Sequence, residues 1–448
     1  MTRPKKSHYF IIKFRHLVAT PYIIIIIFAV FLLGAAGGYF YHQQFQSQES
    51  AVLGEEKNVY TSFLFEIYDK IENNYWQKID SAKLVNLYIL GIEKLTGQPQ
   101  NMQENNRANL AKTLNDILAQ IEDKQKKKEF TTKLADIVLA NLQPFGRSRL
   151  YTKQDKENLA QRVENKTEVN HYQALELEKG ATQEEINAAH QELAQKWDPV
   201  VNEDPDAAEK LVQINQAYEV LKDEESRQVY DVSGVEPTIS YYLARPHIFY
   251  VHLKKFSPTT MDEFQRVMAK VEGRSGLDTF IFDLRGNVGG AIDGLPYFLG
   301  PFIGKDQYAY QFLHQGEKTD YKTKTGWLSS LVQYKKVVIL IDEKAQSSAE
   351  VMASVLKKYN VGVLVGNTTR GWGTVERVFK IDSQLAENEI YSMFLVHSVT
   401  LRADDQPIEG KGVDPHVFVS DANWQSQLYS YIPDDEVVAT VANIFEEK

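Results

Sequence analysis

Cysteine is absent from all 448 residues of this sequence. Its absence excludes a disulfide framework, a thiolate nucleophile and a cysteine-ligated zinc site. The ten histidines form no H-E-x-x-H or comparably spaced set. The sequence also contains no G-x-x-x-x-G-K-[ST] or G-x-G-x-x-G loop, the motifs that bind phosphate and dinucleotides. We therefore expect neither a metal site nor a cofactor.

Basic charge is scarce and unevenly placed. The chain has 50 Lys and Arg against 60 Asp and Glu, a net charge of −10. Five basic residues fall within the first twenty positions, where no acidic residue occurs, so the remaining chain is still more acidic. Such a surface repels phosphate backbones unless it carries a basic stripe, and beyond the amino terminus only the short run Lys124–Lys128 stands out. The composition therefore argues against a nucleic-acid partner.

A long apolar run follows the basic amino terminus. No residue from His16 to Gln48 carries a formal charge, and residues 22–40 are dominated by Ile, Phe, Leu, Ala and Gly. At about 1.5 Å per residue, a helix of this length spans the ~30 Å core of a bilayer. We predict a cytoplasmic tail at residues 1–20 and a single-pass cell-membrane anchor at residues 21–42, with the body of the protein extracytoplasmic. The small residues Ala35–Gly38 make signal-peptidase cleavage the alternative to an uncleaved anchor.

Residues 58–165 are predicted to form a helical amino-terminal region. Apolar residues at helical spacing indicate two amphipathic helices within residues 58–96, and a homodimer, if one forms, is expected through these helices. The stretch 98–128 is polar and rich in Asn, Gln and Lys, although apolar residues recur every three or four positions from Leu110 to Ile121. We interpret this stretch as a solvated helix or a linker.

Residues 166–236 carry further helices joined by a polar loop. Thr182 has the character of a helix cap, and the helix after it should run to about Trp197. The segments HYQALELEKGATQEEINAAHQELAQKW and INQAYEVLKDEESRQVYDVSG resemble a J-domain. In that family the central loop reads His-Pro-Asp and engages an ATPase chaperone, whereas here it reads Asp198-Pro199-Val200. The resemblance implies an inserted J-domain-like helical hairpin used as a scaffold, without the co-chaperone role.

Residues 237–448 alternate strands and helices in the α/β manner. Apolar runs predict buried strands at Val337–Ile341 and Gly362–Val365, with a helix at Ser347–Tyr359 between them. The stretches FIFDLRGNVGG, VVILIDEKAQSSAEVMASVLKKYNVGVLVGNTTRGWGTV and QPIEGKGVDPHVFV resemble the C-terminal processing, or tail-specific, serine proteases. The resemblance implies an α/β protease core with a ClpP/crotonase-like mixed sheet, in which the J-like segment stands where the family has a peptide-binding PDZ domain.

Ser347 is the candidate nucleophile. A serine in the first turn of a helix that follows a buried strand faces out over the sheet, where the helix amides stabilise negative charge. Ser347 and Glu350 ahead of an apolar run also fit a capping box, which requires no catalysis. The protease resemblance places Ser347 at the family's nucleophile position. It also implies that the N–H groups of Gly289, Gly290 and Ser348 bind the oxyanion.

The general base is missing from its expected place. The family has a lysine and, four residues later, a glutamine, and here Trp372 and Glu376 occupy those positions. The Trp372 indole has one N–H to donate and no lone pair to accept a proton, so it cannot be the base. Glu376 is the first alternative, because burial can raise the pKa of a carboxyl group toward neutral pH. Lys344, His397 and Lys357, the last in an S-x-x-K spacing, are weaker candidates.

Three functions remain open at this point. The first is a serine endopeptidase that hydrolyses extended polypeptide substrates with a displaced base. The second is a catalytically inactive pseudoprotease that binds polypeptide or a partner protein in the same cleft. The third is a membrane-anchored structural scaffold. For the first two functions, the sheet edge beside Asn287–Gly290 is expected to bind an extended peptide by β-addition. The residue at position 372 is the feature that distinguishes the active peptidase from the inactive one.

Overall fold

The computed structural model describes residues 58–100 and 102–446. The predicted cytoplasmic tail and transmembrane anchor, residues 1–42, lie outside the described residues. Within the described ranges, no helix is both long enough and apolar enough to cross a bilayer.

The described part of the amino-terminal region contains five helices and a short strand. The first four helices and the strand are α1 (Val59–Asn74), α2 (Ser81–Thr96), α3 (Arg107–Gln120), α4 (Lys124–Ala140) and β1 (Arg149–Tyr151). Asp80, Asn106 and Asp123 accept backbone N–H groups at the starts of α2, α3 and α4. The apolar stripes of these four helices share one core, which includes Phe63, Ile67, Ile71, Leu84, Ile92, Leu110, Leu114, Leu134 and Val138. Because α3 contributes buried leucines to this core, the interpretation of its polar stretch as a solvated helix or a linker is wrong.

The fifth helix of the amino-terminal region, α5 (Lys153–Glu164), leads into the next segment, whose helices are α6 (His171–Ala174), α7 (Gln183–Lys196), α8 (Ala207–Leu221) and α9 (Glu224–Ser233). Thr182 and Glu185 form a capping box at the start of α7. The helices α6 to α9 enclose a small core of their own, which includes Tyr172, Leu175, Ile186, Leu193, Ile214, Ala217 and Leu221. The two ends of the segment meet, because the Glu236 N–H donates to the Asn165 carbonyl oxygen at 3.0 Å. The segment is therefore inserted as a self-contained unit.

Two sheets fill the carboxy-terminal half of the described chain. Their strands are β2 (Ile239–Arg245), β3 (Ile248–Leu253), β4 (Thr279–Asp283), β5 (Tyr308–His314), β6 (Glu317–Lys322), β7 (Lys336–Ile341), β8 (Val363–Gly366), β9 (Thr374–Lys380), β10 (Ser392–Leu401) and β11 (Val417–Phe418). The six-stranded sheet has the order β11-β8-β7-β4-β3-β2 and is parallel except at β2. The second sheet is antiparallel, with the order β1-β10-β5-β6 and with β9 also paired to β10. Through β1, the amino-terminal region joins this second sheet.

Helices pack on both faces of the six-stranded sheet. They are α10 (Thr260–Ala269), α11 (Leu295–Ile303), α12 (Ser329–Val332), α13 (Ser348–Lys358), α14 (Trp424–Tyr431) and α15 (Asp435–Glu446). Alternate residues of β7 face the two sides: Ile339 and Ile341 pack with α10, α11 and α13, while Val338 and Leu340 pack with α14 and α15. The strand is buried on both faces, as its continuous apolar run predicts. The connection from β7 to α13 therefore places Ser347 at the carboxyl edge of the parallel strands.

Candidate active site

Ser347 is the residue that immediately precedes α13. Its backbone has a φ of 57° and a ψ of −121°, a conformation that costs a residue with a side chain about 1–3 kcal/mol. The turn that contains Gly289 lies directly against it. A Cβ atom added to Gly289 would come within 2.7 Å of the Ser347 Cβ and 3.2 Å of its Oγ. The fold thus brings the predicted nucleophile and the predicted oxyanion turn together.

Glu350 ties Ser347 to the loop before β9. Its side chain is fully buried, and its Oε2 accepts the Ser347 N–H at 2.9 Å and the Trp372 N–H at 2.7 Å. Its Oε1 accepts the Thr369 hydroxyl and the Gly371 N–H, both at 2.6 Å. Burial raises the pKa of this carboxyl group, and the hydrogen bonds oppose that rise. Glu350 therefore joins two segments in addition to capping the helix.

The Trp372 ring is enclosed by charged side chains. The guanidinium carbon of Arg147 lies 3.4 Å from the ring centroid, and that of Arg370 lies 5.3 Å from it. The indole Nε1–H donates to Glu376 Oε1 at 3.3 Å. The group at the base position is therefore a hydrogen-bond donor whose proton is already engaged.

Glu376 lies on β9 and is held by two donors. The Thr374 hydroxyl donates to the same Oε1 atom that receives the Trp372 indole, at 2.6 Å. Burial raises the pKa of Glu376, while these two hydrogen bonds and the charge of Arg147 lower it. A raised carboxyl pKa suits a general base. The two donors on Oε1, however, stabilise the ionised carboxylate and so weaken Glu376 as an acceptor for the Ser347 proton.

The three predicted oxyanion donors differ in their surroundings. The Gly289 N–H donates to Asn287 Oδ1 at 2.8 Å, so it is engaged within its own turn. The Ser348 Oγ donates to the Gly290 carbonyl oxygen at 3.1 Å, which ties the start of α13 to the turn. Gly290 also forms a bridge with Phe256, and a Cβ atom on Gly290 would come within 1.9 Å of the Phe256 carbonyl oxygen. Peptide addition at the edge that Phe256 occupies is therefore blocked.

The other candidate bases lie elsewhere. Lys344 is exposed, and Lys357, near the far end of α13 and about 15 Å along the helix from Ser347, donates to the Asp414 carbonyl oxygen at 2.7 Å. His397 stacks on a second imidazole at 4.2 Å, and burial lowers its pKa to about 4. In the described part of the chain, no three His, Asp or Glu side chains gather into a metal site. Glu376 is thus the candidate with the closest link to Trp372.

Two residues of the site carry no sequence signal that identifies them. Arg147 covers the Trp372 ring, and its Nη2 lies 3.0 Å from Glu409 Oε1. The other Glu409 oxygen accepts the Gly373 N–H at 2.8 Å. Glu409 falls within the QPIEGKGVDPHVFV stretch, but nothing in that stretch points to an arginine in the amino-terminal region. Only the folded chain brings these segments together.

Comparison with known proteins matches two family models in this chain. Residues 247–419 match peptidase family S41, and residues 170–231 match the DnaJ domain. A probable CtpA-like serine protease of Staphylococcus haemolyticus is 28% identical over 197 residues, which cover 44% of this chain and 37% of that protein. A chaperone protein DnaJ of Mycoplasmoides gallisepticum is 48% identical over 66 residues, which cover 15% of this chain and 17% of that protein. The chain therefore spans less than half the length of either relative.

Among solved structures, the photosystem II D1 C-terminal processing protease aligns with 82% of this chain and 94% of its own, at 12% identity and a TM-score of 0.46. The S41 match contains Ser347 and Trp372, and the DnaJ match contains the loop at residues 198–200. Residues 247–419 are therefore similar to a peptidase family S41 domain, here called the S41 domain, and the preceding residues 170–231 are similar to a DnaJ domain, here called the DnaJ domain.

Proposed function

We propose that this protein binds extended polypeptide through its S41 domain and hydrolyses it slowly or not at all. The observation that carries the proposal is the occupant of the base position, Trp372, whose indole N–H is bonded to Glu376. A serine hydroxyl is a poor nucleophile without an adjacent proton acceptor. Loss of that acceptor costs serine hydrolases on the order of 10³ to 10⁶ in rate.

The remaining geometry supports a polypeptide-binding role. Ser347 lies at the carboxyl edge of the parallel strands, with Gly289 against it and the half-exposed Val288 beside that turn. Clefts at this edge of an α/β sheet are common ligand sites. The name of the CtpA-like serine protease relative points to the same class of ligand.

The proposal includes a location and a role for the DnaJ domain. The basic amino terminus followed by an uncharged run to Gln48 supports a single membrane anchor with the body of the protein extracytoplasmic. An ATP-driven cytosolic chaperone would not meet a domain placed there, and Asp198-Pro199-Val200 lacks the residues that engage one. We therefore assign the DnaJ domain a scaffolding role. A homodimer through the amino-terminal helices stays a prediction.

An active serine endopeptidase with Glu376 as base is the second candidate. Two observations favour it: the positive φ of Ser347, since strained backbone is concentrated at functional sites, and the burial that raises the pKa of Glu376. In this case the Glu376 carboxylate would accept the Ser347 proton as Oγ attacks the peptide carbonyl carbon. It would then return the proton to the departing amine as the C–N bond breaks and the acyl-enzyme forms.

A paired cleavage assay tests the proposal. The full-length chain, purified in detergent, is incubated with fluorescein-labelled unfolded casein, and both binding and cleavage are measured. We expect the wild type to bind casein but to cleave it no faster than Ser347→Ala. Trp372→Lys combined with Glu376→Gln should gain cleavage that Ser347→Ala abolishes, while Trp327→Lys, a lysine placed at an exposed tryptophan, should gain none. Robust wild-type cleavage that disappears in Ser347→Ala would favour the second candidate instead.

A further inference from the structure

Arg147 links the amino-terminal region to the serine site. It lies in the loop between α4 and β1, and its side chain is 17% exposed. Its guanidinium carbon is 3.4 Å from the centroid of the Trp372 ring, which is close cation–π contact. The S41 domain begins only at residue 247, so the residue that covers Trp372 comes from outside that domain.

Polar contacts fix the backbone on both sides of this ring. Arg147 Nη2 lies 3.0 Å from Glu409 Oε1, and the other Glu409 oxygen accepts the Gly373 N–H at 2.8 Å. The Trp372 N–H is bound by Glu350 Oε2 at 2.7 Å. Arg147 and Glu409 therefore act together on the segment that Glu350 holds from the other side.

Part of the Arg147 guanidinium group is left without a hydrogen bond. Its Nη1 is buried and has no hydrogen-bond partner among the residues that the structure describes. A buried donor without a partner is unfavourable, so a surface role does not explain why Arg147 is placed here. The Trp372 ring and the Glu409 carboxylate are the groups that offset its charge.

We infer that Arg147 is a positioning residue that holds the Trp372 indole N–H on Glu376 Oε1 and so weakens Glu376 as an acceptor for the proton of Ser347. The part that concerns Ser347 rests on the proposed function, whereas the holding of the ring stands on the contacts alone. Without Arg147, the indole is free to turn away from Glu376 Oε1. The Glu376 carboxylate then loses one of its two side-chain donors and becomes a stronger proton acceptor.

The first test measures how accessible Trp372 is to acrylamide in the full-length chain in detergent. Because the chain has five tryptophans, the quenching of Trp372 is obtained by subtracting the matching Trp372→Phe protein. We expect quenching to rise at least about twofold in Arg147→Ala, since the ring loses its cation–π contact. Arg147→Lys keeps the positive charge but lacks the planar guanidinium group, so quenching of Trp372 in this variant should lie between the wild type and Arg147→Ala. Arg149→Ala, at the exposed arginine that begins β1 two residues later, should match the wild type.

Unchanged quenching in Arg147→Ala would overturn the inference. The second test measures the rate at which a fluorophosphonate labels Ser347, read by intact mass. We expect labelling to be about tenfold faster in Arg147→Ala. A factor of about ten corresponds to the lower end of the free energy that a hydrogen bond to a charged acceptor contributes. The gain should disappear when Glu376→Gln is added, and a merely structural role for Arg147 would not produce that dependence.

The two tests separate the inference from the proposed function. Suppose that Ser347 is labelled in the wild type. Raised quenching in Arg147→Ala without faster labelling would then overturn the claim that the Trp372 indole weakens Glu376 as a proton acceptor. Raised quenching with no labelling in any variant, Trp372→Lys with Glu376→Gln included, would overturn the assigned role of Ser347. In that case the holding of the ring by Arg147 would still stand.

Discussion

Replacing Glu350 by glutamine tests the tie between the start of α13 and the loop that carries Trp372. The carboxylate faces four donors at 2.6–2.9 Å. One of them, the Thr369 hydroxyl, accepts the Val413 N–H at 2.8 Å, so its own proton is directed to Glu350. In glutamine, one of the two oxygens becomes an NH₂ group, which can only donate. Two of the four hydrogen bonds are then lost, and two donors face another donor.

The expected effect follows from those two lost bonds. A hydrogen bond to a charged group contributes about 1.5–3 kcal/mol, and part of the loss is offset because the amide has no buried charge to desolvate. We therefore predict that Glu350→Gln lowers the free energy of unfolding by about 2–4 kcal/mol. Urea titrations at pH 7, followed by circular dichroism, measure this change. Glu343→Gln, at an exposed glutamate of the preceding turn, should stay within about 0.5 kcal/mol of the wild type. A loss below about 1 kcal/mol in Glu350→Gln would mean that the four hydrogen bonds do not depend on the carboxylate.

Three further predictions concern the turn, the carboxyl group and the DnaJ loop. Gly289→Ala should lose about 2–4 kcal/mol of stability in the same titration, because φ is +80° and the new Cβ would meet Ser347 Cβ at 2.7 Å. Gly276→Ala, with φ +79° and nothing within 4 Å, should lose only about 1–2 kcal/mol. For Glu376, burial raises the pKa above 4.5, so its contribution to stability is present below pH 4.5 and is lost as the pH rises through the folded-state pKa. The stability of the wild type relative to Glu376→Gln should therefore fall from pH 4.5 toward neutrality, and a constant difference would contradict this assignment. Because residues 198–200 lack the His-Pro-Asp sequence, the full-length chain should leave the ATPase rate of an ATP-driven chaperone unchanged, and a several-fold stimulation would contradict the scaffold role.

Apolar periodicity predicts the elements around Ser347 closely. The helix expected at Ser347–Tyr359 is found as α13, and the strand before it is buried on both faces, as a continuous apolar run indicates. The same reasoning fails at α3. Buried Leu110 and Leu114 lie there among many Asn, Gln and Lys side chains, and the polar majority masks a narrow apolar stripe that packs into the core.

Contacts between distant segments could not be predicted from the sequence. The capping-box pattern indicates only the hydrogen bond from Ser347 to Glu350, while three other donors reach Glu350 from the loop before β9. The stacking of Arg147 on Trp372 joins two segments that no local pattern relates. Such contacts depend on tertiary proximity, which leaves no periodic signal in the chain. For the same reason, the sequence does not reveal that Phe256 pairs with one side of the turn at Gly290.

The proposed function depends on Trp372 leaving Ser347 without a proton acceptor. The most direct test is the rate at which a fluorophosphonate modifies Ser347, compared between the wild type and Trp372→Lys with Glu376→Gln. Ser347→Ala gives the background rate. We predict slow wild-type labelling and a gain on the order of 10² in the double variant, the lower range for a positioned acid or base. Fast wild-type labelling that the double variant does not increase, and that Ser347→Ala abolishes, would contradict the proposed function.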